Sequence, residues 1–274
     1  MSSLSLLCAS RVKQSVRVLE LFLGCLERAR LDGFVFVDDC DDAEASALLR
    51  DFASRHPTQL LPAPPRAGGY ARDPITHRWD APACARAAAM YNQLIDAALA
   101  DANVGALMLV DADVLMPAEL PRHLLGLERD VVSEVYWTRW EPGQPYLPQV
   151  WDLHPYGFTH VDHVLRLRGP GQFEVGGLGA CTLVHRRVFE AGVRFDPIAG
   201  VPWALEDRWF CVRAAVAGFR LWADTTWPPF HVYRDAQLDE AARWVAEGCP
   251  PELFRQGWLD GEWERVVRAG LRGR

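Results

Sequence analysis

The sequence predicts an α/β chain with a mostly parallel central sheet covered by helices on both faces. Three observations carry this. Short apolar runs alternate with stretches of helical spacing through the first half of the chain. Acids or small polar residues fall directly after those runs. Half of the 274 residues are hydrophobic, enough to bury a sheet on both sides. Strands that alternate with helices pair in parallel, because each crossover lays a helix on the sheet.

The elements follow in order. "LSLLCAS" is strand-length and apolar. Val16, Leu19, Leu23 and Leu26 then recur at helical spacing, with Gly33 beyond them. "GFVFVDDCDD" is a second strand running into acids, "AEASALLRDFASRH" a second helix and "TQLLPA" a third strand. After a Pro/Gly-rich loop, Asp80 and Pro82 open a helix to about Ala102, with Met90, Leu94 and Ala97 on one face. "ALMLVDADVLMP" is the next strand. A helix in "AELPRHLLGLERD" precedes the strand "VVSEVYW". "ACTLVHRRVFEAG" reads as strand then helix. "LEDRWFCVRAAVAG" reads as a helix with Leu205, Trp209, Val212 and Val216 on one face, stopped by Gly218. "FRLWAD" is a strand, and amphipathic helices run from Asp239 to a basic tail. The expected division is one domain over 1–235 and a helical extension over 236–274, packed on or beside it.

Composition sets limits. A net charge of -7 argues against a generic nucleic-acid binder. No apolar run approaches the ~20 residues that span a bilayer. The tail "RVVRAGLRGR" offers at most weak contact with an anionic membrane surface. The seven cysteines are scattered without a C-x-x-C pair, which suits free thiols in a reducing compartment, and the expected location is cytoplasmic. Lys13 is the single lysine, so a mechanism that needs a lysine elsewhere is excluded.

In a sheet of this kind, ligands bind beyond the carboxyl ends of the strands. Ser10, Asp38, Asp39, Asp111 and Asp113 are expected there. Asp111-Ala112-Asp113 can hold a hard divalent cation, since Mg²⁺ and Mn²⁺ favour oxygen ligands completed by water and phosphate. The bland alternative is an acidic turn. The same stretch also resembles the first motif of haloacid-dehalogenase-type phosphatases. That family places the motif on its first strand and uses a downstream lysine, and neither holds here.

Taken together, "LSLLCAS", "FVFVDDCDD", "ARAAAMYNQLIDAALA", "LMLVDADVLMP", "GGLGACTLVHRRVFEAG", "LEDRWFCVRAAVAGFRLWAD" and "FHV" resemble the GT-A glycosyltransferases, specifically the inverting group called family 2, over roughly residues 4 to 233. The resemblance implies a Rossmann-like, mixed but mostly parallel sheet. It implies a nucleotide-diphosphate-sugar donor, UDP- or GDP-linked, used with Mn²⁺ or Mg²⁺. It places Ala9, Ser10, Arg11 and Asp39 around the base and ribose. Asp113 would bind the metal, and Asp111 the ribose or the metal through water. His231 would close the metal site. Asn92 matches half of an Arg-Asn pair, and Arg86, one turn earlier, is the candidate for the missing charge. Gly177 would run beside the donor sugar. Asp207, preceded by Glu206, would be the general base for a single displacement with inversion, and helix capping is its bland alternative. Seven of the eleven tryptophans fall between Trp137 and Trp227, and Trp140 or Trp151 is expected in an acceptor cleft. The acceptor stays open among saccharide, lipid-linked, peptide and small-metabolite hydroxyls, as does the oligomeric state. A retaining transferase and a non-catalytic nucleotide-sugar binder are the alternatives. His154, His160 and His163 have zinc-like spacing, but no cysteine lies near, so they are expected in a surface loop.

Overall fold

A computed structural model describes residues 4–66, 70–72, 77–140, 146–153, 161–201 and 205–251. The first strand, β1 (Ser5–Val12), leads into helix α1 (Val16–Arg28), then β2 (Gly33–Asp38), α2 (Ala43–Arg55) and β3 (Thr58–Pro62). Helix α3 (Ala81–Leu99) precedes β4 (Val104–Val110), followed by α4 (Leu120–Gly126) and β5 (Val131–Glu134). The second half adds β6 (Gln172–Val175), β7 (Cys181–His185), α5 (Glu206–Val216), β8 (Leu221–Asp224) and α6 (Leu238–Ala246). Among the described residues no helix is long and apolar enough to cross a membrane.

These strands form one eight-stranded sheet in the order β6-β8-β5-β7-β4-β1-β2-β3. The half built from β4, β1, β2 and β3 is parallel. Strand β7 runs antiparallel to both β4 and β5, and β6 runs antiparallel to β8. Strands β5 and β8 are parallel. Six strands therefore point one way and two the other. The fold is mixed and mostly parallel, with helices on both faces.

Local chemistry explains the elements. Asp80 caps α3 by accepting from Ala83 N at 2.8 Å, with proline in the first turn. Asp42 caps α2 in the same way through Glu44 N. Gly218 ends α5 with φ +90°, a conformation that glycine adopts without strain. Strand β4 is apolar throughout because both of its faces are covered. Ala106, Met108 and Val110 face one core, and Val104, Leu107 and Leu109 face the other.

The core on one side gathers α1, α2, α4 and α6, and the core on the other gathers α3 and α5. Helix α6 buries Leu238, Ala241 and Trp244 in the first of these, against the α1 side. The start of the expected extension thus shares the main core. Residues 252–274, which include the basic tail, lie outside the described residues.

The face expected for α5 is corrected. Its buried residues are Glu206, Trp209, Phe210, Cys211 and Ala214, whereas Leu205 and Val216 are exposed. The apolar stripe read from the sequence ran one step off, because the helix start turns a charged residue inward.

Candidate active site

The carboxyl ends of β1 and β4 and the start of α5 open onto one cavity of about 380 Å³. This is within the ~300–1,000 Å³ usual for small-molecule sites. Asp111, Ala112 and Asp113 line it, as do Asp39, Arg86, Glu206, Asp207 and His231. Chain topology assembles this set. The segment after β4 carries the two acids, and a short antiparallel pairing of Phe230–His231 with Val114–Leu115 draws the distant histidine beside them.

Arg11 is the centre of the charge network. Its Nε lies 3.3 Å from Asp111 Oδ1 and its Nη2 lies 2.8 Å from Glu206 Oε1. The guanidinium also sits 5.1 Å from the ring centres of both Trp79 and Tyr91. Tyr91 Oη donates to Asp111 Oδ1 at 2.6 Å. Burial opposes the Arg11 charge, but Asp111 and Glu206 outweigh it and raise its pKa further. Burial likewise raises Glu206, against the pull of Arg11. Asp207 is raised well above the usual carboxylate range, first by burial and then by the charges of Glu206 and Asp111.

Asp113 faces a different set of partners. Gln14 Nε2 donates to its Oδ2 at 3.1 Å, and His231 Nε2 lies 3.7 Å from its Oδ1. The other ring nitrogen of His231 is 2.7 Å from Thr138 Oγ1, which fixes the ring. A carboxylate and an oriented imidazole at this separation suit Mn²⁺ or Mg²⁺, with the remaining positions left to water and phosphate. Asp111 is turned toward Arg11 and Tyr91 instead.

Other expected site residues are placed differently. Arg86 lines the cavity but is already paired. It grips Asp39 with both terminal nitrogens at 2.7 Å and donates to Pro64 O, so the two expected donor-binding residues neutralise each other. Asn92 is not in the cavity lining. Its amide donates to Asp196 and its carbonyl accepts from Phe195 N, which pins a loop. Ala9 and Ser10 are fully buried within the sheet, which leaves Arg11 as the side chain that β1 presents. Asp38 serves the turn after β2, accepting from Cys40 N and Ser46 Oγ.

Gly177 also has a protein neighbour where a sugar was expected. A Cβ there would meet the Trp151 ring at 2.5 Å and Arg208 Nη1 at 3.0 Å. Gly177→Ala is expected to cost about 1–3 kcal/mol by overpacking, read as a lowered Tm. Trp151 packs in this way with Arg208 over its ring, whereas Trp140 lines the cavity and is 38% exposed. His163 is buried, 3.8 Å from Asp152, and is not a surface-loop residue; His154 and His160 lie outside the described residues.

Sequence reasoning missed several residues. Gln14, Tyr136 and Trp79 line the site and belong to no short motif, and Tyr91, at the position of the missing arginine beside Asn92, braces it through Asp111. It also missed a second polar cluster, His123, Glu134 and Asp224, whose ligand atoms lie within 4.8 Å of one another. His123 Nε2 is 3.0 Å from Asp224 Oδ1, while Thr226 N and Trp227 N donate to Asp224 and Glu134. This donor set could hold a metal ion, but none of its three residues lines the cavity. Its carboxylates end β5 and β8, two strands with no acidic motif in the sequence.

No protein-family model matches the chain, and no curated protein matches its sequence. Among solved structures, the chain is similar to the mannosyltransferase PcManGT from Pyrobaculum calidifontis, in complex with GDP-Man and Mn²⁺. The identity is 14% and the TM-score 0.54, over 98% of this chain and 70% of that one. A mycobacterial protein matches at 15% identity and a TM-score of 0.47, over 93% of this chain and 76% of that one. At its low identity the likeness to the mannosyltransferase concerns the fold, and with the sheet order described above the chain has a Rossmann-like GT-A architecture.

Proposed function

We propose that the protein transfers a sugar from a nucleoside-diphosphate-sugar donor to an acceptor hydroxyl, with a divalent cation. The observation that carries this reading is the convergence of Asp113, His231, Asp111 and the Glu206–Asp207 helix start on one cavity at the carboxyl edge of the sheet. The fold alone would not license it, because α/β sheets host many activities. A fold neighbour holding GDP-Man and Mn²⁺ supports the donor class.

The residues divide the work as follows. Asp39, held by Arg86, accepts hydrogen bonds from the base or ribose. Asp113 and His231 would hold Mn²⁺ or Mg²⁺, which would supply positive charge to offset the diphosphate leaving group. Arg11 pairs with Asp111 and Glu206 and holds both carboxylates in place. Asp207 accepts the acceptor hydroxyl proton as that oxygen attacks the anomeric carbon from the face opposite the diphosphate. One displacement inverts the configuration. Burial and the charges of Glu206 and Asp111 raise its pKa, so that Asp207, once ionised, is a stronger base than an ordinary carboxylate. Trp140, at the cavity wall, offers an apolar face to the acceptor.

Calorimetry with GDP and UDP tests the donor site. With Mn²⁺, one nucleotide is expected to bind the parent protein, and Asp113→Ala is expected to lose the metal-dependent part of that affinity. Equal affinity in parent and variant would remove Asp113 from the metal site. The anomeric configuration of the product, read by NMR, tests the single displacement.

A further inference from the structure

Two of the seven thiols meet at one guanidinium, away from the cavity. Cys25 lies on α1 and Cys249 just after α6, and the same Arg28 nitrogen reaches both sulfurs. Both are buried, at 1% and 4% exposure. Arg28 Nη2 is 3.4 Å from Cys25 Sγ and 3.9 Å from Cys249 Sγ. Its Nη1 donates to Val245 O at 3.1 Å, so α6 itself holds the guanidinium at the pair.

The backbone also builds this juxtaposition. Gly248 and Cys249 have φ of +85° and +60°, two left-handed residues that turn the chain back after the helix. A cysteine rarely takes that conformation. Here Cys249 N donates to Trp244 O at 2.9 Å and the turn is held.

The two sulfurs are not equivalent. The neighbouring Cys249 thiol and the Arg28 charge lower the Cys25 pKa against the effect of burial, while Cys25 and burial raise Cys249. Every other thiol is raised. Burial pushes Cys40, the least buried, to about 12, Cys84 to about 11 and Cys211 to about 12, and it raises Cys8 and Cys181 as well. Of the seven thiols, Cys25 is the one drawn toward the thiolate, with the exposed Arg28 guanidinium 3.4 Å from its sulfur, which favours it as the attacking sulfur.

We propose that Cys25 and Cys249 are a peroxide-oxidised dithiol site whose disulfide ties the turn after α6 to α1. The Cys25 sulfur attacks one oxygen of hydrogen peroxide. The O–O bond breaks, and the departing hydroxide takes up the thiol's proton as water. Cys25 is left as a sulfenic acid. The Cys249 sulfur then attacks Cys25 Sγ, the S–O bond breaks, and a second water leaves with the Cys249 proton. Two thiols are oxidised by two electrons and one peroxide is reduced to two waters. The link joins the helix that follows Gln14 to the helix that follows His231, the two segments that flank Asp113. The proposal is independent of the transferase reading.

The full-length reduced protein is treated with hydrogen peroxide, remaining thiols are alkylated, and the unreduced digest is read by mass spectrometry. The expected product is a Cys25–Cys249 linked peptide that dithiothreitol cleaves, with the other cysteines alkylated. Arg28 is exposed, so Arg28→Gln keeps the fold and is expected to form the link several-fold more slowly. Cys249→Ser is expected to stop at a Cys25 sulfenic acid, which dimedone traps. Oxidation that reaches Cys40 or another cysteine while Cys25 and Cys249 both remain alkylated overturns the proposal. An unchanged rate in Arg28→Gln overturns Cys25 as the attacking thiolate.

Discussion

Asp207→Asn is expected to leave donor affinity unchanged and to lower the transfer rate by about 10²–10⁴-fold, the usual contribution of a positioned general base. Asp207 occupies the first turn of α5, on the cavity, next to a glutamate that Arg11 has already engaged. It therefore keeps its basicity for an incoming hydroxyl. The measurement is single-turnover transfer beside calorimetric donor binding. Near-parent turnover would remove Asp207 as the base.

The same variant carries a stability signature. The folded pKa of Asp207 is raised by burial and by Glu206 and Asp111. A raised acid contributes stability below its unfolded pKa and loses it as pH rises through the folded pKa. The metal-free parent protein therefore loses the Asp207 share of its stability across that window, and Asp207→Asn is spared that share while keeping the smaller Glu206 one. Their Tm values should coincide in acid and separate as pH rises, with the variant the more stable. Each kcal/mol gained would appear as roughly 2–4 °C in a chain near this size. A site that destabilises its own fold in this way fits a group kept for chemistry.

Arg11→Met is expected to be the most damaging single change to stability in the site. It leaves the aromatic packing of the side-chain stem but strands Asp111 and Glu206 without their cation. Breaking one side of a buried ion pair costs about 3–5 kcal/mol. Side-chain exposures of 12% for Arg11 and 5% for Glu206 support that scale, and 27% for Asp111 favours its lower end. Thermal denaturation should register a drop of roughly ten degrees. Adding Glu206→Gln should recover part of the loss, since one stranded charge is then gone. A double-mutant cycle with additive effects would show that the pair is not coupled.

The comparison of Arg11 with Arg86 clarifies how much the sequence could tell. Both were legible as cations near strand ends or one helical turn from an expected motif. Their partners were not legible. Arg86 closes on Asp39, and Arg11 closes on Asp111 and Glu206, residues brought near only by sheet order. The position where the family resemblance expects an arginine carries Tyr91, which donates to Asp111 beside the Arg11 guanidinium. No spacing rule links these positions.

What the sequence by itself determined is local and periodic. The order of strands and helices apart from β6, which falls in a stretch without strand periodicity, follows from patterns within one element and its flanks, as do the cap at Asp80, the stop at Gly218 and the acids after β4. Burial of β4 on both faces is likewise written in its unbroken apolar run. The tertiary structure decided the rest. It reversed β7 and β6 within the sheet, turned Glu206 inward on α5, put His231 beside Asp113, and set Cys25 against Cys249. The physical reason is common to all four. Periodicity says which face of an element is apolar, but a charge, an imidazole or a thiol finds its partner only after distant elements have packed.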